Sequence, residues 1–318
     1  MSTQQREKED KGIARRSFLK WGGASLLSLP FLTQAKLAFG TAVNCWKVNY
    51  WEGPEDGKYC VNRTVYDGEV NAGYIWARID GWWRRFEIRE VEDVFWEWSF
   101  SERIQSLEAR IAGTHTPTAG GPHTPAVATY GNGIGRGDSS FHINNKFVGA
   151  DLVPKKEKIK EINDTITSML ESGVEYVDGL KYLKEIHEQD IWRRGMHVGI
   201  EYFTNPEFET HTFLNMMENP VATLCFQGSY DIFKSFEIRC VPQIVHLANP
   251  SITEDSDIYQ IAKFPFMIMS LFHGDPVTTY NQMPAVIYHH IEEYNNSMSE
   301  HGIRVVRTLE RNPQRLYA

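Results

Sequence analysis

Three histidines, His115, His123 and His142, lie in or beside one Gly/Thr/Pro-rich stretch, residues 113–140, with Tyr130 and Asp138 between them. Neutral imidazole suits Zn, Cu or Fe, and three protein ligands leave one coordination position open for water. Closed around such a transition metal, the trio would support metal-activated water or redox at the metal, the chemistry of a hydrolase or an oxidoreductase. Seven residues separate the first pair and eighteen the second, spacings that match no compact metal motif. A solvated loop carrying three separate histidines is the competing description.

Other stretches carry less. In His289-His290-Ile291-Glu292-Glu293, an imidazole and a carboxylate three or four residues apart would share one face of a helix, expected here from about Pro284 to Met298. An amphipathic surface helix is the plainer reading. The glycines of GNGIGRGDSS, residues 131–140, lack the G-x-G-x-x-G spacing between a strand and a helix that a dinucleotide requires. Asp138-Ser139-Ser140 lacks the glycines of a nucleophile elbow. Trp46, Trp51, Trp76, Trp82, Trp83, Trp96 and Trp98 crowd one region. They could form a carbohydrate platform, though strand spacing assigns them to core and sheet surface.

Four cysteines remain. Cys45 and Cys60 are fifteen apart, as are Cys225 and Cys240, which predicts two local disulfides, 45–60 and 225–240, among the three connectivities open to four thiols. No C-x-x-C, haem-attachment or iron–sulfur spacing occurs, so a redox cofactor would not be held by cysteines in a familiar motif.

The address is more specific. Arg15-Arg16-Ser17-Phe18-Leu19-Lys20 is followed by a short apolar run, Trp21 to Leu32, interrupted by Gly22, Gly23 and Pro30. This resembles the twin-arginine (Tat) export signal, R-R-x-F-L-K, at every defined position. Ala38-Phe39-Gly40 offers small residues to a signal peptidase, placing cleavage before Thr41. The resemblance implies a chain that folds in the cytoplasm, engages the Tat translocase and works in the periplasm or outside the cell. The apolar run is too short for a permanent membrane span. Without residues 1–40, the chain keeps 26 Lys/Arg against 38 Asp/Glu, which disfavours nucleic acid as a partner.

Positioning elements follow from pattern. Residues 43–100 read as strands, aromatic and β-branched, broken by turns such as EGPEDG. Helical spacing starts near Ser101 with Ile104, Leu107 and Ile111, capped by Ser99 or Ser101. Residues 113–140 read as one long loop. Helices are predicted from Pro154 to about Leu170 and from Val177 to about Arg194. Beyond Met196, MHVGIEYF, PVATLCF and PQIVHLA read as strands, and Pro206–Met217 and SYDIFKSF as helices.

Residues 196–250, with Val241-Pro242 after Phe236-Glu237-Ile238, resemble the thioredoxin fold. That resemblance implies a cis peptide before Pro242. TNPEFETH stands where the family keeps its cysteine pair, so the implied domain is redox-inactive and serves packing or partner binding, as in periplasmic assembly proteins of conjugative transfer systems. The expectation is an α+β protein: a signal peptide (1–40), an aromatic-rich antiparallel β region (41–112), a His-bearing loop (113–150), and a helical and α/β region (151–318). The expected role is an exported accessory, assembly or binding protein of the cell envelope that meets another envelope protein. The alternative is a periplasmic metalloenzyme built on His115, His123 and His142.

Overall fold

A computed structural model describes residues 49–115, 121–131, 142–273 and 283–297, with the backbone of 307–308. Arg15, Arg16, Phe18, Leu19 and Cys45 lie outside the described residues. The architecture is α+β, centred on one antiparallel sheet.

That sheet contains β6 (Ala126–Tyr130), β7 (Ile143–Phe147), β8 (Ala150–Pro154), β9 (Trp192–Ile200), β10 (Ala222–Gln227), β11 (Ser235–Val245) and β12 (Ala285–Asn295). Its order is β7-β6-β10-β11-β12-β9-β8. Only Val148 and Gly149 separate β7 from β8. Pairing runs through the gap, since the Val148 N–H donates to Pro125 and the Ala150 N–H to His123. The first and last strands are therefore two halves of one bent strand, and the sheet closes on itself as a barrel of six strands, leaving no open edge along that path. A short β13 (Arg307–Thr308) pairs with β12 outside it.

Strand alternation fixes what faces inward. Leu224 and Phe226 pair with Ile238 and Phe236, Tyr288 pairs with His197, and Val127 pairs with Leu224. Together with Val286, these side chains fill the barrel. Helix α1 (Asp93–Ile111) stoppers the barrel with Phe95 and Trp98, whose rings meet Phe226 and Phe236. Helix α4 (His211–Glu218) adds Phe213, Met216 and Met217, and its N-cap Thr210 accepts from the Phe213 N–H.

On the outside, α2 (Lys156–Glu171), α3 (Tyr176–His187) and α5 (Asp257–His273) cover the outward residues of β9 and β12, among them Val198 and Ile287. A second sheet packs on the wall at Val241 and Ile291. It comprises β3 (Val65–Tyr66), β4 (Tyr74–Ile79) and β5 (Trp82–Glu87), and its apolar contacts are Ile75, Ala77 and Ile79. A two-residue pair, β1 (Trp51–Glu52) with β2 (Tyr59–Cys60), completes the strands.

Several expectations change. Helix α1 begins at Asp93 after Glu92, eight residues before Ser101, because the stripe Phe95, Trp98, Ser99, Glu102, Arg103 and Leu107 is the buried one. Three of those six residues are polar, so an apolar count found Leu107 but missed the first two turns of the helix. Strand β6 falls inside the expected loop 113–140. His289 to Glu293 form a strand within β12, buried on both faces, rather than a surface helix. SYDIFKSF makes a turn leading into β11, not a helix.

The thioredoxin-like layout expected over 196–250 meets a different arrangement: β9, β10 and β11 all belong to the antiparallel barrel. Pro242 sits mid-strand opposite Tyr288, and no described peptide bond is cis.

The 225–240 disulfide is also corrected. Ala222, not Cys225, is the partner of Cys240 across β10 and β11, and Cys225 stands three positions away, opposite Glu237. Cys240 points into the barrel and Cys225 out of it, and both are free thiols. A separation of roughly 10 Å along the strands exceeds the Cα reach of a disulfide. Cys60 is a buried free thiol; its expected partner Cys45 is not among the described residues.

Candidate functional site

The three histidines do not converge. The Gly131 N–H donates to the His142 backbone carbonyl at one end of the β6–β7 hairpin, whereas the Ala150 N–H donates to the His123 backbone carbonyl beyond the other end. Eight residues of extended chain, roughly 25 Å, lie between these points. His142 is therefore far outside any coordination sphere that could hold His123. Among the described residues neither ring nitrogen of His115 has a hydrogen-bond partner, and burial, with the nearby Arg110 charge, pushes its imidazole down. Among the described residues, no group of three or more His, Cys, Asp or Glu is placed to hold a metal ion.

One of the three has another task. His123 Nδ1 accepts from Arg103 at 2.8 Å. Arg103, fully buried on α1, also donates to Asp151 on β8, to the Pro122 carbonyl at 2.6 Å and to Ser99 Oγ at 3.3 Å. His187, at the end of α3, donates from Nδ1 to the Leu183 carbonyl at 2.7 Å and turns Nε2 toward Asp151 at 3.7 Å. Burial alone would raise the Asp151 carboxyl. Arg103, with His187 and His123 beside it, holds it well below the usual carboxylate range instead. Burial and the neighbouring guanidinium push His123 down, so its imidazole is neutral at pH 7. The cluster ties α1, α3, β8 and the turn before β6 into one seam.

Adjacent Glu102 works similarly. Its carboxylate accepts the N–H groups of Ser229, Tyr230 and Asp231 at 2.8, 3.1 and 3.2 Å, holding the β10–β11 turn. Sequence pattern could have located this pair: Trp98 and Glu102, and Ser99 and Arg103, are both four apart on the stripe begun by Phe95.

Inside the barrel stands a second imidazole group. His290 Nδ1 lies 3.0 Å from the Arg194 carbonyl, which can only accept, so Nδ1 carries the proton. Neutral His290 then accepts at Nε2 from His197 Nδ1 at 2.8 Å. This leaves the Nε2 lone pair of His197 buried beside Phe95 and Phe226 without a partner among the described groups. Burial and His290 push His197 well below the ordinary imidazole range. On the outer side of β12, His289 Nε2 bonds Gln243, which donates to Asp67.

The solvent-facing chemistry lies on the β3–β4–β5 sheet. Its outer face carries Tyr66 opposite Trp76, Trp76 opposite Arg85, and Arg78 opposite Trp83. The Arg85 guanidinium lies 3.5 Å from the centre of the Tyr74 ring and bonds Glu69, which also accepts from Trp76 Nε1. Tyr66, Trp82 and Trp83 are 56%, 73% and 48% exposed, far above an ordinary tryptophan. The described tryptophans thus divide: Trp51 and Trp98 belong to the barrel core, Trp76 and Trp96 are half-buried, and Trp82 and Trp83 face solvent.

No family model matches the chain, and no curated protein matches it. Among solved structures, it is similar to a Clostridium acetobutylicum protein related to general stress protein 26 of B. subtilis, of the pyridoxinephosphate oxidase family. The identity is 11%, with 66% of this chain and 96% of that chain covered and a TM-score of 0.28. A likeness of that degree carries no argument about fold or activity.

Proposed function

We propose that this chain is a Tat-exported protein of the periplasm or cell surface that acts by binding another envelope protein, as an accessory or assembly component. The observation that carries the binding role is the exposed Tyr66–Trp76–Arg85 and Arg78–Trp83 face. Exposed tryptophan and arginine are the side chains that dominate protein interfaces once covered. The Arg15-Arg16 motif supports the location. Folding before export suits a closed barrel, in which β6 must meet β10 and β8 must meet β9, contacts distant in sequence.

The buried charges fit a scaffold role. Arg103, Asp151, Glu102 and Glu201 are each engaged by neighbours in the fold. Export is tested by cell fractionation of an Arg15→Lys, Arg16→Lys variant. Retention of the variant in the cytoplasm is expected, and normal delivery overturns the location. Binding is tested by crosslinking in intact cells with a photoreactive residue at Trp83, against one at exposed Glu188, just past the end of α3. A discrete adduct at Trp83 alone is expected; its absence overturns the binding role.

A further inference from the structure

Among the described residues, β5 is the edge strand of the β3–β4–β5 sheet, and its composition is unusual for an edge. Asp80 and Gly81 have φ values of 51° and 86°, a two-residue turn of the kind that joins twisted antiparallel strands. Ile79 and Trp82, which flank it, form a hydrogen-bonded pair, and the ladder alternates from there. The Ile88 N–H donating to Gly73 continues the same phase. Trp82, Arg84 and Phe86 therefore direct their backbone groups to β4, while Trp83, Arg85 and Glu87 direct theirs away from it. Those outward N–H and C=O groups have no partner among the described residues.

Edge strands of this kind are normally short, charged or covered. β5 has six residues, and Trp82, Trp83, Arg84 and Glu87 are all exposed, on both faces. Arg84 and Arg78 have no ion pair among the described residues, and the hairpin 74–89 carries four arginines against Asp80 and Glu87. In a chain of formal net charge −8, this is a local excess of positive charge.

We propose that β5 takes up an extended acidic segment of a partner protein as a fourth strand. Its main chain would bond Trp83, Arg85 and Glu87, its carboxylates on one face would meet Arg84, and its apolar side chains on the other face would lie beside Trp83. Backbone pairing supplies affinity in such strand addition, and side chains on alternate positions supply selectivity. Charge argues against this chain's own C-terminal segment as the occupant, since residues 298–318 carry four arginines against Glu300 and Glu310. The inference rests on the partner-binding role proposed above and names the edge and the chemistry of the partner.

The probe is a fluorescent eight-residue peptide of alternating Glu and Val, titrated against the full chain. Two N-methylated forms accompany it, each blocking one alternate set of N–H groups, together with the Lys/Val counterpart and chitohexaose. The expected result is salt-sensitive binding of the Glu/Val peptide, at least tenfold weaker to Arg84→Glu and restored in Arg84→Lys. One N-methyl set should abolish binding and the other leave it. Equal effects of both sets, equal binding of the Lys/Val peptide, no loss in Arg84→Glu, or binding of chitohexaose alone would each overturn the proposal. A Trp83 crosslink in cells without peptide binding would sink the strand-addition inference and leave the partner-binding role standing.

Discussion

His197 donates from Nδ1 to Nε2 of His290 across 2.8 Å in the barrel interior, two neighbouring imidazoles linked by a single shared proton. Protonating either ring places a second donor against the first or strands a charge among Phe95, Phe226 and Tyr288. The arrangement is stable only with both rings neutral.

Acid should therefore weaken the fold early. Burial pushes His290 down to about 3 and His289 to about 4, against about 6.5 in an unfolded chain. Between pH 6.5 and 4.5 the unfolded chain takes up protons that the native one refuses, so stability falls with pH, by up to about 1.4 kcal/mol per unit for each ring. Glu293 opposes this: burial raises it to about 7, so the native state holds a proton there between pH 4.5 and 7. Urea unfolding midpoints should decline from pH 7 to 4.5, and more steeply in Glu293→Gln. A flat or rising profile toward acid would contradict the neutral pair.

Arg103 and Asp151 should be worth more as a pair than singly. Arg103→Met leaves a buried carboxylate, and Asp151→Asn leaves a buried guanidinium with weaker partners. Each single change is expected to cost about 3–5 kcal/mol in chemical unfolding. The Arg103→Met, Asp151→Leu double variant should lose less than the two single losses added together. Strict additivity would mean that the two side chains do not stabilise each other.

Bending of the 143–154 strand depends on a close approach. A Cβ on Gly199 would lie 2.3 Å from the Gly149 carbonyl oxygen, a backbone atom that cannot swing aside. Gly199→Ala is expected to destabilise by about 3 kcal/mol. Gly173→Ala tests a different limit, since its φ of 71° is strained for alanine although the space is open. It should cost only about 1 kcal/mol. Equal losses would argue against the closure at Gly149.

Thiol labelling separates the cysteines. In a Cys45→Ser background, the native protein should react rapidly at one thiol, Cys225, and at Cys60 and Cys240 only after unfolding. Burial raises the Cys240 thiol well above its usual range, which further suppresses reactive thiolate. Loss of the fast phase in Cys225→Ser checks the assignment. A mass two units low, restored by reductant in a Cys45→Ser, Cys60→Ser variant, would instead restore the 225–240 disulfide.

Local pattern carried far in some places. Helix α2 and strands β4 and β10 follow from periodicity and turn residues alone, since each presents one regular face to a neighbour, whereas α3 stops at His187, short of the expected Arg194, and β11 begins within the stretch read as a helix. It misled where burial was polar or two-sided. α1 hides Ser99, Glu102 and Arg103 on its inner stripe, and β12 is buried on both faces, so neither shows the alternation that marks a half-exposed element. The imidazoles of the barrel interior and the Arg103–Asp151 seam were likewise missed, because their members lie 48 to 93 residues apart.

By itself, the sequence determined the α+β class, the acidic balance, the twin-arginine motif and the aromatic excess, all properties of composition or of neighbours along the chain. Tertiary structure alone decided that His123 and His142 stand at opposite ends of one hairpin, that Cys225 and Cys240 face opposite sides of the barrel wall, and that Trp82 and Trp83 meet solvent. The physical reason is register: strand pairing sets which distant residues share a face, and a shift of one position reverses every side chain.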